Sequence, residues 1–184
     1  MRRFGFLLAV LALTALAGCA GGGHGRDIND PSNSLVFGYI DMADAPTKVS
    51  GVQVQQVAPP TDKPYWGTDV RDGLFYTYYL PPGSYRLATL HGSSFWRGEY
   101  QYNFPRQGGG DTAVRADKPG IYFLGAWRYV GVKTGFFEQG KFDIQRVNSP
   151  TEAELLQRIL DTDPEIKGSA WADRIRQRIT RLKR

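Results

Sequence analysis

Between Ser34 and Asn148 the large residues come in short runs rich in Val, Ile, Tyr, Phe and Trp, divided by Gly, Pro, Asp and Asn. That spacing is the pattern of an all-β domain whose strands fold into two layers. Leu35 to Ile40 opens the series, and Val52-Gln53-Val54-Gln55 alternates with period two, as a half-buried strand does. Asp72-Gly73 is a turn dipeptide, Leu74 to Leu80 carries large side chains on both faces, and Pro81-Pro82-Gly83 turns the chain into Tyr85 to Leu90. Glu99 to Phe104 alternates cleanly, so Tyr100, Tyr102 and Phe104 share a face that borders the core. Ile121 to Val130, apolar on both faces, predicts a central strand, and Phe142 with Ile144 marks the last one. Arg106 to Thr112, with three consecutive glycines, reads as a mobile loop.

Gly38-Tyr39-Ile40, the Val52-x-Val54 strand, Asp72-Gly73 before Phe75, and Leu80-Pro81-Pro82-Gly83 with Tyr85 resemble the transthyretin/prealbumin-like, carboxypeptidase-regulatory-like family. The resemblance covers about residues 35–90. It implies a mainly β chain with an antiparallel β-sandwich and a non-catalytic accessory or adhesion role. The residues fit that implication physically. The glycine permits a tight turn, the prolines stop a strand from pairing further, and Tyr85 folds back onto the core. After Leu90 an aromatic-rich stretch and the glycine loop depart from the family pattern.

Ahead of this region, Phe4 to Ala17 is apolar apart from Thr14 and follows the basic pair Arg2 and Arg3. About 14 residues fall short of the roughly 20 needed to cross a bilayer, so the run reads as the apolar region of an export signal. Leu16-Ala17-Gly18-Cys19 resembles the lipobox of bacterial lipoproteins. The resemblance implies cleavage after Gly18 and a covalent lipid on Cys19, with no other cofactor. It also implies a periplasm-facing chain anchored in the membrane of the cell envelope. Ala20, standing where an aspartate would signal inner-membrane retention in enteric bacteria, favours the outer membrane. Several acyl chains hold a protein durably, so no further membrane span is needed.

Loss of residues 1–18 removes two arginines and lowers the formal charge from +5 to +3, leaving 166 residues for a single domain of ordinary size. With its lone cysteine taken by lipid, the folded part has no disulfide and rests on burial alone. Residues 19–33 are rich in glycine and small polar side chains and read as a lipidated tether with a span of roughly 20 Å. His24 in that tether is a solvated residue, because metal sites need several convergent ligands. The expected organisation is therefore signal 1–18, tether 19–33, sandwich 34–148 and helical appendage 149–184.

The appendage should hold two amphipathic helices. Ser149 is expected to cap the first, with Pro150 at the first helical position and Glu152 completing a capping box. Leu155, Leu156, Ile159 and Leu160 form its apolar stripe, and Asp163-Pro164 ends or restarts it. Beyond Gly168-Ser169, Trp171, Ile175, Ile179 and Leu182 recur at helical spacing. From Glu165 onward seven Lys or Arg face two acidic residues. Two readings stand open. Trp171, Arg174, Arg178 and Arg181 form a partner or membrane surface, or the apolar stripe covers the sandwich and the arginines are solvated near a helix C-terminus. Export to the envelope argues against nucleic acid as the partner.

Catalytic motifs are missing from this sequence. There is no G-x-S-x-G, no H-E-x-x-H and no His/Cys cluster, and His91 beside Ser93 and Ser94 on one strand does not converge into a triad. Glu99, Asp111, Asp117, Glu138 and Asp143 lie among aromatics, and carboxylate pairs for glycoside chemistry carry no sequence signature. No enzymatic activity is expected. The expected role is a binding, scaffold or assembly module meeting an envelope protein. The alternative is a carbohydrate or peptidoglycan binder, since 19 of 24 aromatics fall between Tyr65 and Phe142. Most should be core, leaving Tyr65, Trp66, Phe95 and Trp96, beside turn residues, as its exposed platform.

Overall fold

A computed structural model describes residues 27–45, 48–63, 65–94, 98–104, 112–131 and 142–184. Cys19 and the export signal, His24, Phe95, Trp96, Asp111 and Glu138 lie outside the described residues, as do the side chains of Glu99 and Tyr100. The chain is mainly β, with two sheets followed by helices. The strands are β1 (Ser34–Asp41), β2 (Lys48–Ala58), β3 (Tyr65–Gly67), β4 (Asp69–Arg71), β5 (Leu74–Leu80), β6 (Gly83–Ser94), β7 (Gly98–Asn103), β8 (Ala113–Ala116), β9 (Ile121–Gly131) and β10 (Phe142–Val147). The helices are α1 (Glu152–Thr162), α2 (Pro164–Lys167) and α3 (Trp171–Leu182).

The first sheet runs β10-β9-β1-β5-β4 and the second β3-β2-β6-β7, with β8 on β6 as well. Pairing is antiparallel except between β1 and β9, which run parallel, so the first sheet is mixed where an antiparallel one was expected. No local turn joins those two strands, and sequence alternation alone does not fix their direction. Their register slips between Phe37 and Tyr39 against Phe123 and Ala126, and Gly125 in that bulge takes φ +112°, a region open to glycine. Asp72 and Gly73, both at positive φ, form the two-residue turn between β4 and β5. Such turns match the natural twist of a hairpin. Thr68 passes the chain from the second sheet to the first, its backbone N–H and hydroxyl both donating to the Val52 carbonyl.

Side-chain alternation on β1 and β5 feeds two cores. Val36, Ile40, Phe75 and Leu80 meet Val52, Val54, Tyr85, Leu87 and Leu90 of the second sheet and Leu124 and Trp127 of β9. Leu35, Phe37, Leu74, Tyr76 and Tyr78 point the other way and meet the helices. Both faces of β5 are therefore buried, which is why its residues are large throughout. Tyr85, fully buried, donates its hydroxyl to the Pro81 carbonyl and closes the Pro81-Pro82 turn.

The cap of the first helix and the segment 27–33 differ from expectation, while Asp163-Pro164 restarts the helix, one of its two expected outcomes. Helix α1 is capped by Thr151, whose hydroxyl accepts from Glu154 N (3.3 Å) while the Glu154 carboxylate accepts from Thr151 N (2.8 Å). The sequence holds two overlapping boxes, Ser149 with Glu152 and Thr151 with Glu154. Use of the second leaves Glu152 free for another partner. Asp163 then starts a third helical piece, α2, by accepting from Glu165 N and Ile166 N. The segment 27–33, taken as the end of a structureless tether, is folded. Ile28 packs against the helix core and the Asn29 side chain accepts from Ala170 N (3.0 Å) at the start of α3. Ala170 has no side-chain cap of its own, so Asn29 supplies that bond from 141 residues away.

Candidate functional site: an arginine-lined groove

Helix α3 turns one stripe inward and another outward. Trp171, Ala172, Ile175 and Ile179 are buried against α1 and the first sheet, whereas Leu182 is exposed. Trp171, 1 % exposed, is thus a core residue and not a partner-facing one, correcting its place in the proposed surface. Its indole is covered by the Arg174 guanidinium, 3.8 Å from the ring centroid, a cation–π contact.

Arg174, Arg178 and Arg181 recur at i, i+4 and i+7 and share one face, as expected of residues at that spacing. The structure brings all three to one open cavity of about 360 Å³, lined also by Gln177 and by Pro119, Gly120, Ile121 and Tyr122. The strand side of this groove is built by local contacts. The Tyr122 hydroxyl donates to the Lys118 carbonyl (2.6 Å), tying down the turn before β9. The Ser34 hydroxyl accepts from Gly120 N and Leu35 N donates to the Gly120 carbonyl. A side chain at Gly120 would press on the Tyr122 ring.

The three arginines differ in charge environment. Arg178 makes a two-pronged pair with Glu152, Nε to Oε1 at 2.8 Å and a terminal nitrogen to Oε2 at 3.2 Å. That contact raises its pKa above the arginine norm, with the Glu152 hydrogen bond the largest cause. Partial burial lowers the pKa of Arg174, although a guanidinium stays charged at neutral pH. Among the described residues neither Arg174 nor Arg181 has a carboxylate partner. Of the groove's three positive charges, only that of Arg178 is paired with a carboxylate among the described residues. A second depression of about 410 Å³ near Pro59, Pro82 and Ser84 contrasts with the groove, because Arg115 there is paired with Asp117.

The aromatic candidates divide. Tyr65 on β3 is 50 % exposed, whereas Trp66 is half-buried and packs against the core between the sheets. Alternation along a three-residue strand puts the two rings on opposite faces, so they do not form one platform. Asp117 is engaged by Arg115, and Asp143 lies exposed on β10. Among the described residues no group of acidic, His or Cys side chains could hold a metal ion, and no helix is long and apolar enough to cross a membrane.

Gln177 and Tyr122 were not anticipated as part of the groove, nor Glu152 as the partner of Arg178. Gln177 lies three residues after Arg174 on the same helical face, a signal present in the sequence. Tyr122 and Glu152 are joined to α3 only by tertiary packing. No family model, characterised protein or solved structure matches this chain.

Proposed function

We propose that this chain is a lipoprotein of the bacterial cell envelope, anchored by covalent lipid on Cys19 in the outer membrane and facing the periplasm. Its folded body is a non-catalytic binding, scaffold or assembly module of the transthyretin/prealbumin-like β-sandwich type. The core shared by the two sheets supports the sandwich reading, as does the Tyr85 hydroxyl bonded to a carbonyl four residues upstream, a recurrent corner in such folds. The recognition surface is the groove of Arg174, Arg178 and Arg181, which meets an anionic partner. One observation carries this. Three guanidinium groups converge on a single cavity while two of them lack an acidic neighbour among the described residues. Charge left uncompensated in a cleft attracts and orients an anionic ligand.

The test is crosslinking in intact envelopes of the native host, with Cys19→Ser as the unanchored control. Wild-type protein should yield defined adducts that Arg181→Gln diminishes and Cys19→Ser loses. Identical adducts from all three forms overturn the reading. Among the described residues, the exposed Tyr65 ring favours a glycan-binding alternative. Retention on purified peptidoglycan that Tyr65→Ala abolishes would establish it.

A further inference from the structure

We infer that the anion recognised by the groove is the phosphate of an anionic phospholipid headgroup in the same leaflet that holds the anchor. The inference rests on the proposed lipidation of Cys19 and adds to it the way the N-terminal segment is fastened. Asn29 is bonded to Ala170 at the head of α3 and Ile28 is packed into the core beneath that helix. Asn29 lies only ten positions after Cys19. Even fully extended, that stretch reaches about 35 Å, which bounds the distance from α3 to the bilayer surface. Arg174 follows Ala170 by four residues and Arg181 by eleven, about 16 Å along the helix axis. The short link from Cys19, fastened to α3 by the Asn29 hydrogen bond and Ile28 packing, therefore limits how far the head of the basic stripe can stand from the headgroup layer.

The groove also fits the chemistry of such a ligand. Arg174 and Arg181 offer planar donor forks suited to phosphate oxygens, and Arg178 keeps the donors not used on Glu152. Ile121 and the Tyr122 ring give the opposite wall an apolar character that accommodates the glycerol portion. Asp27 and Asp30, the acidic residues of the fastening segment, turn their carboxylates onto Asn29 N and Ser32 N. Each basic side chain near an anionic surface contributes about a fivefold gain in binding. That is weak alone, but an anchored chain meets headgroups at high effective concentration.

The experiment uses the lipidated protein purified from its host and reconstituted in vesicles of phosphatidylcholine alone, or with one-third phosphatidylglycerol. Arginine-selective modification by phenylglyoxal, followed residue by residue by mass spectrometry, should slow at Arg174 and Arg181 by roughly tenfold in the anionic vesicles. Arg128, at the far end of β9, should be unaffected and serves as the internal control. In Arg181→Gln, an exposed change that leaves the fold intact, protection of Arg174 should fall about fivefold. Equal rates in both vesicles overturn the inference. So does equal protection by inorganic phosphate in neutral vesicles, which would make the groove a site for a free anion. Intact mass showing a bare Cys19 thiol overturns the anchoring itself. The groove is then judged separately, by whether the chain sediments with anionic vesicles and not with neutral ones.

Discussion

Asp163 joins three elements through one carboxylate. Its Oδ1 accepts from Glu165 N and Ile166 N, and its Oδ2 accepts from the Tyr76 hydroxyl at 2.8 Å on β5. At 5 % exposed, it has little solvent to replace a lost donor. Tyr76→Phe should destabilise the protein by about 1–2 kcal/mol, read as a lower urea midpoint with an unchanged slope. The Asp163-Pro164 break was legible in the sequence, because an Asx residue before proline interrupts a helix. Its bond to Tyr76 was not, since 87 residues separate the two and strand alternation shows only that Tyr76 is inside. Glu152 and Arg178 make the same point. Arg178→Gln should cost about 1–2 kcal/mol, less than a fully buried pair because the guanidinium is one-third exposed. Glu152→Gln should cost a similar amount, and the double variant no more than the larger single, when thermal midpoints are compared in a double-mutant cycle. Independent, additive losses would show that the pair contributes nothing.

At the level of elements, the helices form the third layer of the protein and not a detachable tail. Their apolar stripes were readable from spacing alone, as was the punctuation between strands. What the stripes cover was only half written, in the large residues on both faces of Leu74 to Leu80. The parallel partnership of β1 with β9 left no local trace. Ile175 lies fully buried between α1 and the first sheet. Ile175→Ala should therefore cost about 2–5 kcal/mol by transfer and cavity terms, measured by chemical denaturation. Removing residues 171–184 should do more. It strips Leu35, Phe37, Leu74, Tyr76 and Tyr78 of part of their cover, so the truncated chain should bind a hydrophobic dye and lose its cooperative transition. A truncated chain with a sharp transition and no dye binding would show that the helical layer is dispensable.

Across the whole molecule, the two cores share a single chemical vulnerability. Tyr76 and Tyr78 line the helix-facing core and Tyr85 the core between the sheets. Burial raises the pKa of all three phenols. Asp163 adds to the effect at Tyr76, and Tyr79 followed by Glu165 adds to it at Tyr78. Burial alone pushes Tyr85 up to about 12. In the unfolded chain these groups ionise near pH 10. Above that pH the unfolded state holds fewer protons than the folded one, so the free energy of unfolding must fall as pH rises. The stability they contribute is complete below about pH 10 and is lost as pH climbs through the folded-state values, with Tyr85 placing one such step at about 12. While all three remain protonated in the fold, each adds a slope of about 1.4 kcal/mol per pH unit. Urea midpoints measured from pH 9 to 12 should decline steadily above 10, and Tyr78→Phe should make that decline shallower. Tyrosinate absorbance from the buried phenols should develop together with the loss of near-ultraviolet circular dichroism. If it develops near pH 10 in a still-folded protein, these hydroxyls are open to water and neither core is closed around them.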